Sequence, residues 1–269
     1  EAALVRELQE ELGIHVDPGP ALIRVPQAYP GKRLALDVRR VSTWRGTARG
    51  REGQALAWVP PDRLPRYPMP PADRPVVAAL LDPDRYLVTP EPGADGDAGW
   101  LRALEQALAG GIRRVQLRLK TVEPGRRSAL QVAAAALCRR AGASVLVNGD
   151  AEAAERLHAG LHLPASRLHA LEARPLPAER PLAASCHDAR DLQQAQRLGC
   201  DFVVLGPVQA TASHPGAEPM GWERFARLRE QVSLPIYAIG GLAPADVAVA
   251  RQHGAQGIAA IRGLWDGQA

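Results

Sequence analysis

The 269-residue sequence predicts an α/β chain in two parts: a short α/β segment over residues 1–82 and a (β/α)8 barrel over residues 84–269. Three observations carry this. The length exceeds one small domain and suits two. From Arg85 onward, short apolar strand patterns alternate eight times with amphipathic or small-residue helical patterns. Runs such as Phe202-Val203-Val204-Leu205 are apolar without interruption. Parallel strands buried on both faces read this way, and eight βα units around one core close a barrel.

Composition narrows the classes. Hydrophobic residues make up 46%, enough for a packed core, and the formal charge is +4 with a pI near 9.3. Only Lys32 and Lys120 are lysines, and no basic run marks a nucleic-acid arm, so no stable nucleic-acid binding is expected. Cys138, Cys186 and Cys200 are scattered, without CxxC spacing. They suggest neither a disulfide framework nor a zinc site and favour a reducing cytoplasm. No apolar run is long enough to span a membrane and no signal peptide is visible, so a cytoplasmic protein without membrane contact is expected. Assembly into a homo-oligomer stays open.

In the first part, residues 1–14 predict an amphipathic helix: Leu4, Leu8 and Leu12 form a stripe with Val5 beside it, and Gly13 fits a C-terminal cap. Glu7, Glu10 and Glu11, at i, i+3 and i+4, gather on another face. Strands are expected at 21–25, 34–44 and 55–59, with a turn at Tyr29-Pro30-Gly31-Lys32. The Pro-rich stretch 60–71 excludes regular structure, and 74–81 closes the segment as a helix with Pro75 in its first turn.

Arg6 to Ile14, R-E-L-x-E-E-x-G-I, resembles the second half of the Nudix box. Arg51-Glu52-Gly53-Gln54 with Trp58 resembles the E-G-Q…W segment of MutT-type Nudix hydrolases, and residues 70–75 resemble their P-P-A-N-x-P segment. The resemblance implies a partial Nudix α/β/α sandwich. It also implies a hydrolase that takes a nucleoside triphosphate such as 8-oxo-dGTP to the monophosphate and diphosphate, a nucleotide-sanitation role in DNA repair. Mg²⁺, or Mn²⁺, would be held by Glu7, Glu10, Glu11 and Glu52, since carboxylates bind a metal that in turn bridges phosphate oxygens. Glu7 would be the catalytic base, with Arg6 orienting the glutamates. Asp73, where the family has Asn, and Tyr29 would meet the nucleotide; Asp73 also reads as a helix N-cap. A full Nudix box begins further upstream, so the sequence is read as a piece of a longer protein with an incomplete first domain.

In the second part, strands are expected at 86–89, 114–119, 144–148, 160–163, 182–186, 202–205, 235–239 and 257–261. Helices are expected at 99–109, 128–141, 151–158, 188–198, 222–232 and 244–253, with a weak helix inside the Pro-rich stretch 164–181. Barrel function collects at the C-terminal strand ends. These ends carry Gln116, Arg118 and Lys120 on one face, then Asn148 and Asp150, His162, His187, Gly206-Pro207, Thr211 to His214, Gly240-Gly241 and Arg262. Gly240-Gly241 offers backbone amides to a phosphate.

The segments V-Q-L-R-L-K (115–120), L-V-N (146–148), S-C-H (185–187), L-G-P-V (205–208) and A-I-G-G-L (238–242) resemble the thiamine phosphate synthase and TenI family. The resemblance implies a TIM barrel binding a thiazole or pyrimidine phosphate through Gln116, Arg118, Lys120, Asn148, Thr211, Gly240 and Gly241. The chain departs from the pattern twice. Gly149 stands where the synthases have Asp, and Leu163-Pro164-Ala165-Ser166 replaces their G-Q-x-D, so both acidic Mg²⁺ ligands are lost or moved. His187 matches the TenI-type histidine that moves a proton in a thiazole tautomerisation, or it caps the helix that follows; His162 reads as strand-end packing. The reading adopted is a MutT-type hydrolase with a fused barrel. The alternatives are a thiamine-pathway enzyme, either tautomerase or synthase, and a non-catalytic phosphate-ligand barrel.

Overall fold

The computed structural model describes residues 1–211, 216 and 218–265. The first part opens with helix α1, Ala2–Leu12. Gly13, at φ 70°, ends it: its N–H donates to the Gln9 carbonyl and that of Ile14 to Leu8, a left-handed cap that glycine adopts without strain. Two small antiparallel sheets follow. One pairs β1, His15–Val16, with β4, Trp44–Arg45. The other is a hairpin of β2, Ala21–Tyr29, and β3, Lys32–Arg39, closed at Pro30-Gly31 as the sequence predicts. Helix α2, Arg74–Leu81, packs Ala79 against Leu22, Ile23 and Val25 of the hairpin.

This part departs from the expected sandwich. Helix α1 buries no residue. Residues 55–59 are not a strand; the chain there is exposed, and the Trp58 ring stacks on Trp44 at 5.4 Å. Glu7, Glu10, Glu11 and Glu52 are all exposed, as is Arg6, and among the described residues no group of three or more His, Cys, Asp or Glu is placed to hold a metal. On an exposed helix, like charges lower their energy by turning outward into water rather than converging. The loop from Arg49 to Gln54 is nonetheless pinned to the end of α1, through Arg49 N–H to Leu12 O, Arg51 N–H to Glu11 O and Gln54 Nε2 to Glu11 O. Tyr29 is half-buried at the hairpin end. Asp73 is half-buried before α2, where burial raises its carboxyl pKa, but its side chain accepts no capping bond.

The second part is a closed, all-parallel barrel. Its strands are β5 Arg85–Val88, β6 Arg114–Leu117, β7 Ser144–Asn148, β8 Gly160–Leu163, β9 Leu182–Cys186, β10 Phe202–Leu205, β11 Ile236–Ile239 and β12 Gly257–Ala260. The helices between them are α3 Gly96–Ala109, α4 Pro124–Arg140, α5 Ala151–Arg156, α6 Ala165–Leu168, α7 Ala189–Arg197, α8 Gly221–Arg229 and α9 Val247–Gln252; α10, Arg262–Trp265, follows the last strand. Helix α4 starts four residues earlier than the pattern suggests, because the Glu123 carboxylate caps it by accepting from the Gly125 and Arg126 amides.

Inside the barrel, Tyr86, Leu146, Ala183, Phe202, Val204, Tyr237 and Ala259 fill the lumen. Arg114 closes the N-terminal end. Its guanidinium lies 4.4 Å from the Phe202 ring centroid and donates to Tyr237 Oη at 2.8 Å and Asp82 Oδ1 at 3.0 Å. With Arg114 filling that end, the opening that the strand-end residues line lies at the C-terminal side. No helix among the described residues is long and apolar enough to cross a membrane.

Candidate active site at the C-terminal end of the barrel

A cavity of about 430 Å³ opens at the C-terminal strand ends. Strand β6 and the turn after it supply Gln116, Arg118 and Lys120; β7 supplies Asn148, β9 Ser185, Cys186 and His187, and the β10 loop Gly206, Pro207 and Thr211. The far wall is Ile239 to Ala243 and Ile261 to Gly263. All seven barrel residues expected from the sequence to meet a ligand, and His187 with them, therefore converge on one cavity. Residues 212–215 lie outside the described residues, His214 among them.

Gln116 is buried and donates from Nε2 to Asn148 Oδ1 at 3.0 Å, which leaves the Asn148 NH₂ and the Gln116 carbonyl as a donor–acceptor pair at the wall. Arg118 and Lys120 bring two positive charges. Desolvation, and next the Arg118 charge, lower the Lys120 pKa, with Glu91 opposing. Opposite them, Gly240 and Gly241 hold φ of 109° and 67°. A Cβ on Gly240 would sit 2.7 Å from Pro207 Cβ, and one on Gly241 would sit 2.6 Å from the Ala210 carbonyl. Glycine is the residue that fits here, and it brings bare peptide groups to the cavity.

His187 is exposed at the rim. Its Nδ1 lies 2.8 Å from the Gly206 carbonyl, which can only accept, so Nδ1 donates there and Nε2 is left for a ligand. The capping alternative is corrected: Asp188 caps α7 by accepting from Asp191 N–H, while His187 donates its own N–H to Asp191 Oδ2. His162 does more than pack at a strand end. It is buried, bonded through Nδ1 to Tyr86 Oη at 3.1 Å and through Nε2 to Ser185 Oγ at 2.8 Å. Burial lowers its pKa to about 3, so the ring is neutral. Ser185, which the sequence offers only as part of the S-C-H segment, stands near the end of β9 two residues before His187 and borders the same cavity. Cys186 also borders the cavity, but burial, and next the Asp191 charge, push its thiol up, away from nucleophilic use.

The donor set does not fit Mg²⁺. Among the described residues the cavity lining contains no carboxylate, and no acidic cluster able to hold a metal occurs. Asp150, the nearest acid after Asn148, is committed to capping α5 through Ala153 N–H at 2.9 Å.

Fold and site define a class: a (β/α)8 barrel protein whose pocket lies at the C-terminal ends of its strands. A family model described as thiamine monophosphate synthase matches residues 85–264. A thiamine-phosphate synthase of Thioalkalivibrio sulfidiphilus (strain HL-EbGR7) is 36% identical over 183 residues, 67% of this chain and 86% of the relative. A putative thiamine-phosphate synthase of Geobacter sulfurreducens is 35% identical over 191 residues, 69% of this chain and 88% of the relative. The solved thiamine phosphate pyrophosphorylase of Pyrococcus furiosus shares the fold with a TM-score of 0.55 at 20% identity, covering 69% of this chain and 93% of its own. The chain belongs to the thiamine monophosphate synthase family.

This corrects the functional reading adopted from the sequence. The family match and these relatives point to a barrel of the thiamine monophosphate synthase family and not to a MutT-type 8-oxo-dGTP hydrolase in DNA repair. With the hydrolase go the roles given to Arg6, Glu7, Glu10, Glu11, Glu52, Asp73 and Tyr29, and the nucleoside triphosphate as substrate. The motifs at 6–14, 51–58 and 70–75 are short matches on a segment that gathers no metal site among the described residues.

Proposed function

We propose that this chain forms thiamine phosphate, the activity for which its relatives are named. The pocket takes a pyrimidine bearing diphosphate together with a thiazole phosphate. The thiazole ring nitrogen forms a C–N bond to the pyrimidine methylene, and the C–O bond to diphosphate breaks with its electron pair leaving on the diphosphate. The observation that carries this is one cavity joining an amide pair, Gln116 and Asn148, to three cationic side chains, Arg118, Lys120 and Arg262. Amide pairs suit the donor–acceptor edge of a heterocycle, and guanidinium and ammonium groups suit phosphate oxygens. A volume of about 430 Å³ is in keeping with small-ligand sites. Gly240 and Gly241 border the cavity where barrels commonly bind phosphate.

The test is formation of thiamine phosphate from the two substrates by wild type and Arg118→Met. Product that falls tenfold or more in the variant supports the reading. No product, in a protein that binds neither substrate, overturns it.

A second reading rests on His187. With Nδ1 held on Gly206 O and Nε2 left at the rim, this imidazole is placed to take and return a proton, as a thiazole tautomerisation needs. Turnover of a thiazole phosphate tautomer that disappears in His187→Ala, with no coupling activity in wild type, would favour it.

A further inference from the structure

We infer that the phosphate-binding end of this pocket is neutralised by the chain's own cations and that it has no seat for a divalent metal. The inference rests on the phosphate-ligand reading above and goes beyond it. Three side chains in the lining carry positive charge, Arg118, Lys120 and Arg262; the Glu91 carboxylate lies near Lys120 and partly offsets its charge. The carboxylates around the mouth are already committed. Glu91 accepts from the Lys120 and Thr121 amides at 2.6 and 3.4 Å. Asp150 caps α5 and Asp188 caps α7. Asp191 holds the His187 amide and the His169 ring, and Asp246 accepts from Ala243 N–H.

Where the chain leaves Asn148, Gly149 packs its backbone on Pro164, with only 3.3 Å from an added Cβ to Pro164 Cγ. Its carbonyl is taken by Arg167 Nη1 at 2.7 Å. A guanidinium thus stands beside the backbone that joins Asn148 to Asp150. Mg²⁺ is held by one or two carboxylates plus phosphate oxygens in near-octahedral geometry. Here each of these carboxylates is turned to a backbone or ring hydrogen bond and none lines the cavity, and the Arg167 guanidinium on Gly149 O repels a cation. Fixed guanidinium and ammonium groups supply the same counter-charge with no metal to load. The ligand class is a phosphate or diphosphate ester taken as the free anion.

Calorimetric titration of the full chain with inorganic diphosphate and with inorganic phosphate, first in EDTA and then in excess Mg²⁺, tests this. The inference expects binding in EDTA, equal or weaker binding with Mg²⁺ because the metal complex carries less negative charge, and steep weakening by salt. It also expects Lys120→Met, at an exposed position outside any strand, to lose about tenfold or more in affinity, the effect of one charge-assisted hydrogen bond. Binding that appears only with Mg²⁺ overturns the inference and leaves the proposed function standing. Binding of neither anion under any condition overturns both.

Discussion

His162 makes stability pH-dependent in a way that can be isolated. The ring is 1% exposed, and burial lowers its pKa from the ordinary 6.5 to about 3. The folded protein therefore keeps it neutral, while the unfolded chain takes up a proton as pH falls through about 6.5. Between those two values the unfolded state binds more protons, so stability falls with pH across this window by about 1.4 kcal/mol per unit. At pH 5 the loss is about 2 kcal/mol, and near pH 3 it reaches about 4 kcal/mol. His162→Gln keeps a neutral donor and acceptor between Tyr86 and Ser185 and removes the titration. Urea unfolding of wild type and variant at pH 7.5 and pH 5 gives the comparison. Contributions from the other ionisable groups are common to both proteins and cancel in the difference. The wild type should lose about 2 kcal/mol more than the variant between the two pH values. Parallel losses would refute the reasoning and mean that the ring is protonated or solvated in the folded state.

Arg114→Met should destabilise the barrel by about 2–3 kcal/mol, read as a lower urea midpoint. It removes two charge-assisted bonds and the contact over Phe202, while half-buried Asp82 recovers part of the loss from water. His187→Ala removes one hydrogen bond and should shift stability by about 1 kcal/mol or less, while lowering turnover by about 100-fold or more in whichever reaction uses its proton transfer. Gly241→Ala forces a Cβ to within 2.6 Å of the Ala210 carbonyl at φ 67°; it should cost about 1–3 kcal/mol and weaken phosphate binding, both measurable by thermal shift with and without inorganic phosphate. Glu230→Ala should change stability by less than about 1 kcal/mol in chemical denaturation, because its partner Arg33 is largely exposed.

The barrel was legible because its signals are local. A run such as Phe202 to Leu205 declares a strand buried on both faces, and the residue types at successive strand ends need only a shared topology to meet. Strand-end counting thus places Gln116, Asn148, His187 and Gly240 in one cavity before any distance is known. What it misses is set by pairs far apart in sequence. The Tyr86–His162–Ser185 chain joins β5, β8 and β9, and nothing around His162 announces a tyrosine 76 residues away. Arg167 is one arginine among many until its contact with Gly149 is seen. The first part misleads for the opposite reason. Its motifs are convincing over a few residues, but a metal site is a property of side chains converging in space, and these four glutamates do not converge among the described residues.

The attachment of the first part to the barrel bears on function through its position. In a βα barrel the helices run antiparallel to the strands, so helix C-termini lie at the N-terminal strand ends, opposite the pocket. The attachment contacts fall there. Ala28 N–H donates to Glu230 O just after α8, where Arg33 also pairs with the Glu230 carboxylate. Gly254, after α9, is seated on Pro26 and the Arg24 carbonyl. Gln256, just before β12, donates to Ala78 O of α2, and Asp82 meets Arg114 at the first residue of β6. None of these residues lines the cavity. The β2–β3 hairpin and the end of α2 therefore rest on the N-terminal end of the barrel, away from the residues that line the cavity. Loosening this attachment, as with Gln256→Leu, should lower barrel stability in urea while the KM for a bound phosphate ester stays as in wild type. A raised KM at unchanged stability would show that the attachment reaches the pocket after all.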